Sequence, residues 1–180
     1  TITMMEYTNK YWKMLMPLIK RSLTKRLGKE ETAELIKKAD TVYRDMLNRI
    51  DDVGKDNPMA SNIYECLVFL AVWKASDGKI TVDGLREITR EIMSTPILKV
   101  AGLYINANKP TGIKRIEKMM TNSAKWIDEH PQYRAASWDF NFDPGKHSEG
   151  FYYHFTRCPL NTFARREGYL EVLPVMCEID

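Results

Sequence analysis

Hydrophobic positions recur at three- and four-residue steps through roughly the first 130 residues, then alternate with polar ones after Trp138. That change of period predicts a helical part followed by a β-rich part. A first helix is expected from Tyr7 to Leu27, with Met5, Trp12, Leu15, Ile19 and Leu23 inward. Pro17 should kink it and Gly28 should stop it. Its Lys20, Arg21, Lys25 and Arg26 face reads as the solvated flank of a packed helix, in preference to a membrane-surface helix.

A second helix is expected from Glu30 to Ile50 on a stripe of Ala33, Ile36, Tyr43, Leu47 and Ile50. Asn57-Pro58 reads as a cap with proline at the first helical position, opening a third helix to about Lys74. Ile63, Cys66, Leu67, Leu70 and Trp73 share one face of it, so Cys66 reads as a small buried hydrophobe. A fourth helix runs from Val82 to Met93 with Leu85, Ile88 and Ile92 inward. A fifth runs from Thr95-Pro96 to about Asn106. A sixth carries Ile113, Ile116, Met120 and Ile127 and ends near His130-Pro131. Trp126 reads as packing, and Lys114, Arg115 and Lys118 as a solvated face.

Between the third and fourth helices, Asp77-Gly78-Lys79-Ile80 has the look of the end of a calcium half-loop. The other ligand positions fall on Trp73, Ala75 and Gly84, which cannot coordinate calcium, so the segment is a turn.

Two alternating runs follow, W-D-F-N-F-D from Trp138 and F-Y-Y-H-F-T-R-C from Phe151, around a turn-rich loop. They predict an antiparallel hairpin with an aromatic face and a polar face. Pairing Asp139 with His154 would gather the polar groups on one side, and Cys158 would join them if the strand continued that far. The pattern alone does not settle this register. Cys158-Pro159 then leads into a helix stopped by Gly168. The expected fold is α+β, a single domain over 1–180. A bundle of about six helices in 1–130 packs on a small antiparallel sheet in 131–180, which carries the candidate site.

Composition narrows the function. The chain has 180 residues and a formal net charge of +3, too small to argue for nucleic acid. No run of apolar residues is long enough to span a membrane, and the first residues lack the apolar core of a signal peptide. The chain begins at Thr1, as a trimmed or processed product would. Three cysteines without a C-x-x-C argue against a disulfide framework and for a reducing, cytoplasmic setting.

Chemistry concentrates near the end. A cysteine just before a helix N-terminus feels free N–H groups and the positive end of the dipole, and both favour thiolate. Arg157 acts in the same direction, and His154 is a base or hydrogen-bond partner within reach of the strand end. The plainer alternative is a half-buried cysteine at a strand–helix junction beside a surface histidine. Cys177 adds a second thiol, with Glu178 and Asp180 beside it. Thiols, imidazole and carboxylate are ligand types that zinc accepts, but their spacing matches no finger.

These residues also carry a resemblance. F-N-F-D, then Y-H-F-T-R-C-P, then F-A-R-R-E-G-Y-L-E-V-L-P-V-M-C-E-I-D resembles the carboxyl-terminal signature of the L-2-amino-thiazoline-4-carboxylic acid hydrolase family. The signature falls on Thr156, Arg157, Cys158, Pro174, Cys177 and Asp180. The helix carrying Asn62 and the D-G-K-I-T-V-D-G-L-R-E-I segment resemble the family's helical half more loosely. Members usually continue into a further strand with glycine and another cysteine. This chain stops at Asp180, so either part of that site is missing or the chain is a shortened member.

The resemblance implies hydrolytic opening of a cyclic isothiourea, without a cofactor or resident metal. Cys158 attacks or activates water, His154 handles protons, Asp180 orients water or the amidine nitrogen, and Cys177 completes the catalytic set. Arg157, Arg165 and Asn141 bind substrate. The partner implied is a small molecule, with no nucleic acid and no membrane, and the chain is compatible with a homo-oligomer. Two other readings use the same residues differently: a non-enzymatic small-molecule or metal-binding module, and a helical interaction protein with methionine-rich faces.

Overall fold

The computed structural model describes residues 4–100, 105–143 and 145–178, with side chains from Thr8 onward. Six helices come first: α1 (Met4–Leu27), α2 (Lys29–Arg49), α3 (Ala60–Ala75), α4 (Val82–Met93), α5 (Pro96–Val100) and α6 (Pro110–Glu129). A 3-10 turn at Pro131–Tyr133 leads to β1 (Asp139–Phe142) and β2 (Tyr153–Arg157), then α7 (Pro159–Glu167) and α8 (Leu173–Cys177). The architecture is α+β: a helical assembly with one two-stranded antiparallel sheet near the carboxyl end. Among the described residues no helix is long and apolar enough to cross a membrane.

Helix α3 is the centre. Eleven of its sixteen residues are buried, and they lie all round it rather than on one stripe. A helix of that kind belongs inside a core, with other helices laid against every side. Its closest packing is with α2, and α1 crosses both. Trp12, Leu15, Ile19 and Leu23 of α1 are buried as their spacing predicts. α1 stays helical through Pro17.

Two expectations need correction, and one helix was not expected. The buried stripe of α2 is Thr32, Leu35, Ala39, Tyr43 and Met46, while Ala33 is exposed. The helix is rotated so that Tyr43 reaches α1, stacking on Trp12 at 5.1 Å and donating its hydroxyl to the Thr8 carbonyl at 2.7 Å. Burial away from water holds the Tyr43 phenol well above its ordinary pKa, with Tyr64 adding to the shift. Second, α3 opens at Ala60, not at Pro58. Asn57 instead serves the turn before the helix, its Oδ1 accepting from the Met59 N–H at 3.0 Å. The unexpected helix is α8, which is short and which the proline in L-P-V-M-C masks from periodicity. The fifth helix is described only as far as Val100, and Ile105 and Asn106 are not helical. Met5, in the first predicted stripe, lies outside the described side chains.

The alternation after Trp138 forms a real hairpin. Phe140 pairs with Phe155, Asn141 with His154 and Phe142 with Tyr153, while a register shift between Asp139 and Phe140 pairs Asp139 with Arg157. Its aromatic face is continuous: Phe140 lies 5.2 Å from Phe142 and 5.5 Å from Phe155, and Tyr153 is 5.3 Å from Phe155. Phe140, Phe151 and Phe155 are half-buried against the helical core. That face is what seats the hairpin and turns its end towards α7.

Candidate functional site

A cavity of about 660 Å³ opens where the head of α3, helix α6, the end of β2, α7 and α8 come together. Its geometry follows from how β2 ends. The strand stops at Arg157, and Cys158 takes extended backbone as the N-terminal cap of α7, with φ −129° and ψ 120°. The Cys158 carbonyl accepts the Thr162 N–H at 3.0 Å and the Thr162 hydroxyl at 3.2 Å. Pro159 supplies the next residue, where a missing N–H costs no helical bond. These constraints aim Cys158, half-buried, into the cavity.

The predicted site residues divide into three groups. Cys158, Cys177, Arg157 and Arg165 all line the cavity, so the two thiols reached from different helices do meet one space. Cys177 closes α8 and is exposed. His154 and Asn141 do not line it; both are exposed and face each other across the hairpin on its outer side. The expectation that Cys158 shares the His154 face fails at the strand end, because the chain turns into α7 there and strict alternation stops. Asp180 lies outside the described residues.

Arg157 is held hard. Its Nε donates to the Ser137 carbonyl at 2.9 Å and its Nη2 donates to the Arg134 carbonyl. Arg165 is exposed, and its Nε donates to Asn161 Oδ1 one turn back at 2.9 Å. Glu178, next to Cys177, turns away to α4, where it accepts from Arg86 at 2.9 Å and Arg90 at 3.0 Å. The Arg86 hydrogen bond holds its carboxyl below the usual range. That pairing pins α8, and with it Cys177, against the helical body.

The described wall thus carries two guanidinium groups and no carboxylate. Among the described residues no group of three His, Cys, Asp or Glu could hold a metal ion. Thr156 and Thr162 add hydroxyls, and two amides complete the polar side, Asn62 from α3 and Asn161 from α7. Sequence reasoning missed both as site residues. Asn62 had a legible signal: it is an amide in the first turn of a long helix that is otherwise mostly apolar. Asn161 had none beyond its spacing of four from Arg165.

Residues 59–180 match a family model described as L-2-amino-thiazoline-4-carboxylic acid hydrolase. Every described residue that lines the cavity falls inside that stretch. No curated protein and no solved structure matches the chain.

Proposed function

We propose that this chain, which belongs to the L-2-amino-thiazoline-4-carboxylic acid hydrolase family, opens the ring of a small carboxylated cyclic isothiourea by hydrolysis. The observation that carries the reading is the wall itself: a thiol at a helix N-terminus beside two cations and two amides, with no described carboxylate to repel an acid. A guanidinium matches a carboxylate in geometry and charge, and the match is strongest where water is excluded.

The roles follow from placement. Arg165 takes the substrate carboxylate, held ready by Asn161. Arg157, committed to two carbonyls, contributes a fixed positive field. The Cys158 sulfur adds to the ring carbon between nitrogen and sulfur, and the carbon–sulfur ring bond breaks as the ring sulfur leaves as a thiol. Water then adds to the same carbon and the Cys158 sulfur departs. The net change is one water consumed and one N-carbamoyl cysteine formed from the parent ring acid. In a second route Cys158 acts on water, which attacks the carbon directly. Cys177, which lines the same cavity, hands a proton to the leaving sulfur. Asn62 and Asn161 offer acceptors for the amidine nitrogens. His154, on the outer face, takes no part.

The test is incubation of the purified protein with L-2-amino-thiazoline-4-carboxylate. Product is followed by mass, a gain of one water, and by titration of the released thiol. Cys158→Ser should lower kcat by about a hundredfold or more. Undiminished turnover in that variant removes the thiol role, and no ring opening of this acid or of its alkyl-substituted forms by the parent protein overturns the reading.

A further inference from the structure

We infer that the substrate of this site is not the bare ring acid but one carrying a bulky apolar substituent. The inference rests on the carboxylate-binding, ring-opening reading above and adds the substrate's class. The cavity measures about 660 Å³. A bare amino-thiazoline acid has about nine non-hydrogen atoms. Even at the roughly 30 Å³ that a water molecule with its single heavy atom takes in the liquid, those atoms fill only about 270 Å³. Cavities of several hundred Å³ suit ligands of drug size.

The remaining space has a definite chemistry. The polar groups lie away from α6: Arg165, Asn161, Thr162 and Cys177 on α7 and α8, Thr156 and Arg157 at the end of β2, and Asn62 on α3. The α6 side presents Ile116, Met119 and Met120, positions that share one helical face. Met59, Ile105, Leu160 and Leu173 add further apolar lining. A charged or strongly polar arm would find no described partner on that α6 face. An apolar arm would cover it, and unbranched methionines adapt to an aliphatic or aromatic shape. Burying each methylene there should tighten binding roughly fourfold.

Two series of 2-amino-thiazoline-4-carboxylates test this, one lengthened from methyl to butyl on the exocyclic nitrogen, the other on ring carbon 5. Calorimetry gives Kd and the mass assay gives kcat/KM. Kd should fall roughly fourfold per added methylene in at least one series. Met119→Trp, or Ile116→Phe should the first fail to fold, should weaken the butyl compound far more than the bare acid. Flat or rising Kd in both series overturns the inference, as does equal loss for all ligands in the variant. Turnover of the bare acid with no gain from either arm leaves the ring-opening reading standing and this inference wrong. Tighter binding along a series with no turnover of any compound does the reverse.

Discussion

Asn57 Nδ2 donates to the Ser137 hydroxyl at 2.8 Å, joining the turn before α3 to the segment before β1. The same amide donates to the Val53 carbonyl at 3.2 Å, and its Oδ1 accepts from Ser123 of α6 at 2.9 Å and from the Met59 N–H at 3.0 Å. Ser137 in turn lends its carbonyl to Arg157. One buried amide therefore ties three elements around the cavity to the arginine in its wall.

Asn57→Ala should destabilise the protein by about 3 kcal/mol, since it strips partners from several buried polar groups at once. Urea unfolding gives the figure. A loss well under 1 kcal/mol would mean that water replaces the amide at no cost. The variant should also weaken substrate binding, because the Ser137 carbonyl no longer fixes Arg157.

Gly54 makes a neighbouring constraint. Its φ is +83°, and a Cβ there would run into the Trp126 ring. Trp126 is itself stacked on His130 at 4.1 Å and Tyr133 at 5.3 Å. Gly54→Ala combines backbone strain with displacement of that stack, so it should cost about 2 kcal/mol or more. A red shift of tryptophan emission should accompany the lower denaturant midpoint.

Much of this was legible beforehand, for physical reasons. Helix α4 has its predicted bounds because its apolar spacing is strict and Thr81 caps it through the Gly84 N–H at 3.0 Å. Cys158, Cys177 and Arg165 lie on one cavity because a strand end, a proline and a glycine stop constrain where the chain can go. His154 lies opposite the aromatics, as alternation within β2 predicts, but Cys158 does not join it, because alternation assigns a face only within a strand and β2 ends at Arg157. The α2 stripe slipped because Ala33 is too small to outvote Thr32 and Leu35 in the packed helix. The depth of the cavity is a product of α6 meeting α7 and α8, which no local pattern encodes.

Acid should weaken the link between α1 and α4. Hydrogen bonds from Arg26, then Ser22 and Lys25, hold the Glu91 carboxyl down at about 2 against 4.5 ordinarily. A depressed folded value stabilises the protein above the unfolded pKa, and that stability is lost as pH falls from about 4.5 towards about 2. With the Glu91 side chain 35% exposed, solvent screening reduces the effect to about 1 kcal/mol. Glu91→Gln should therefore lower Tm at pH 7 and flatten its dependence between pH 5 and about 2. Parallel Tm curves for the two proteins would show that the carboxylate contributes nothing specific.

The three thiols give a direct check on the geometry of the site. Cys66 is fully buried in α3, Cys158 is half-buried and Cys177 is exposed. Iodoacetamide followed by peptide mass analysis should label Cys177 and Cys158 in the native protein, and Cys66 only as fast as the chain unfolds. Because Cys158 and Cys177 open on one cavity, a carboxylate that fills it must slow both reactions together, by the same factor at each concentration. A ligand bound anywhere else would protect one thiol or neither. Independent protection curves would separate the two cysteines, and the thiol chemistry proposed for Cys158 would then have to work without the second sulfur.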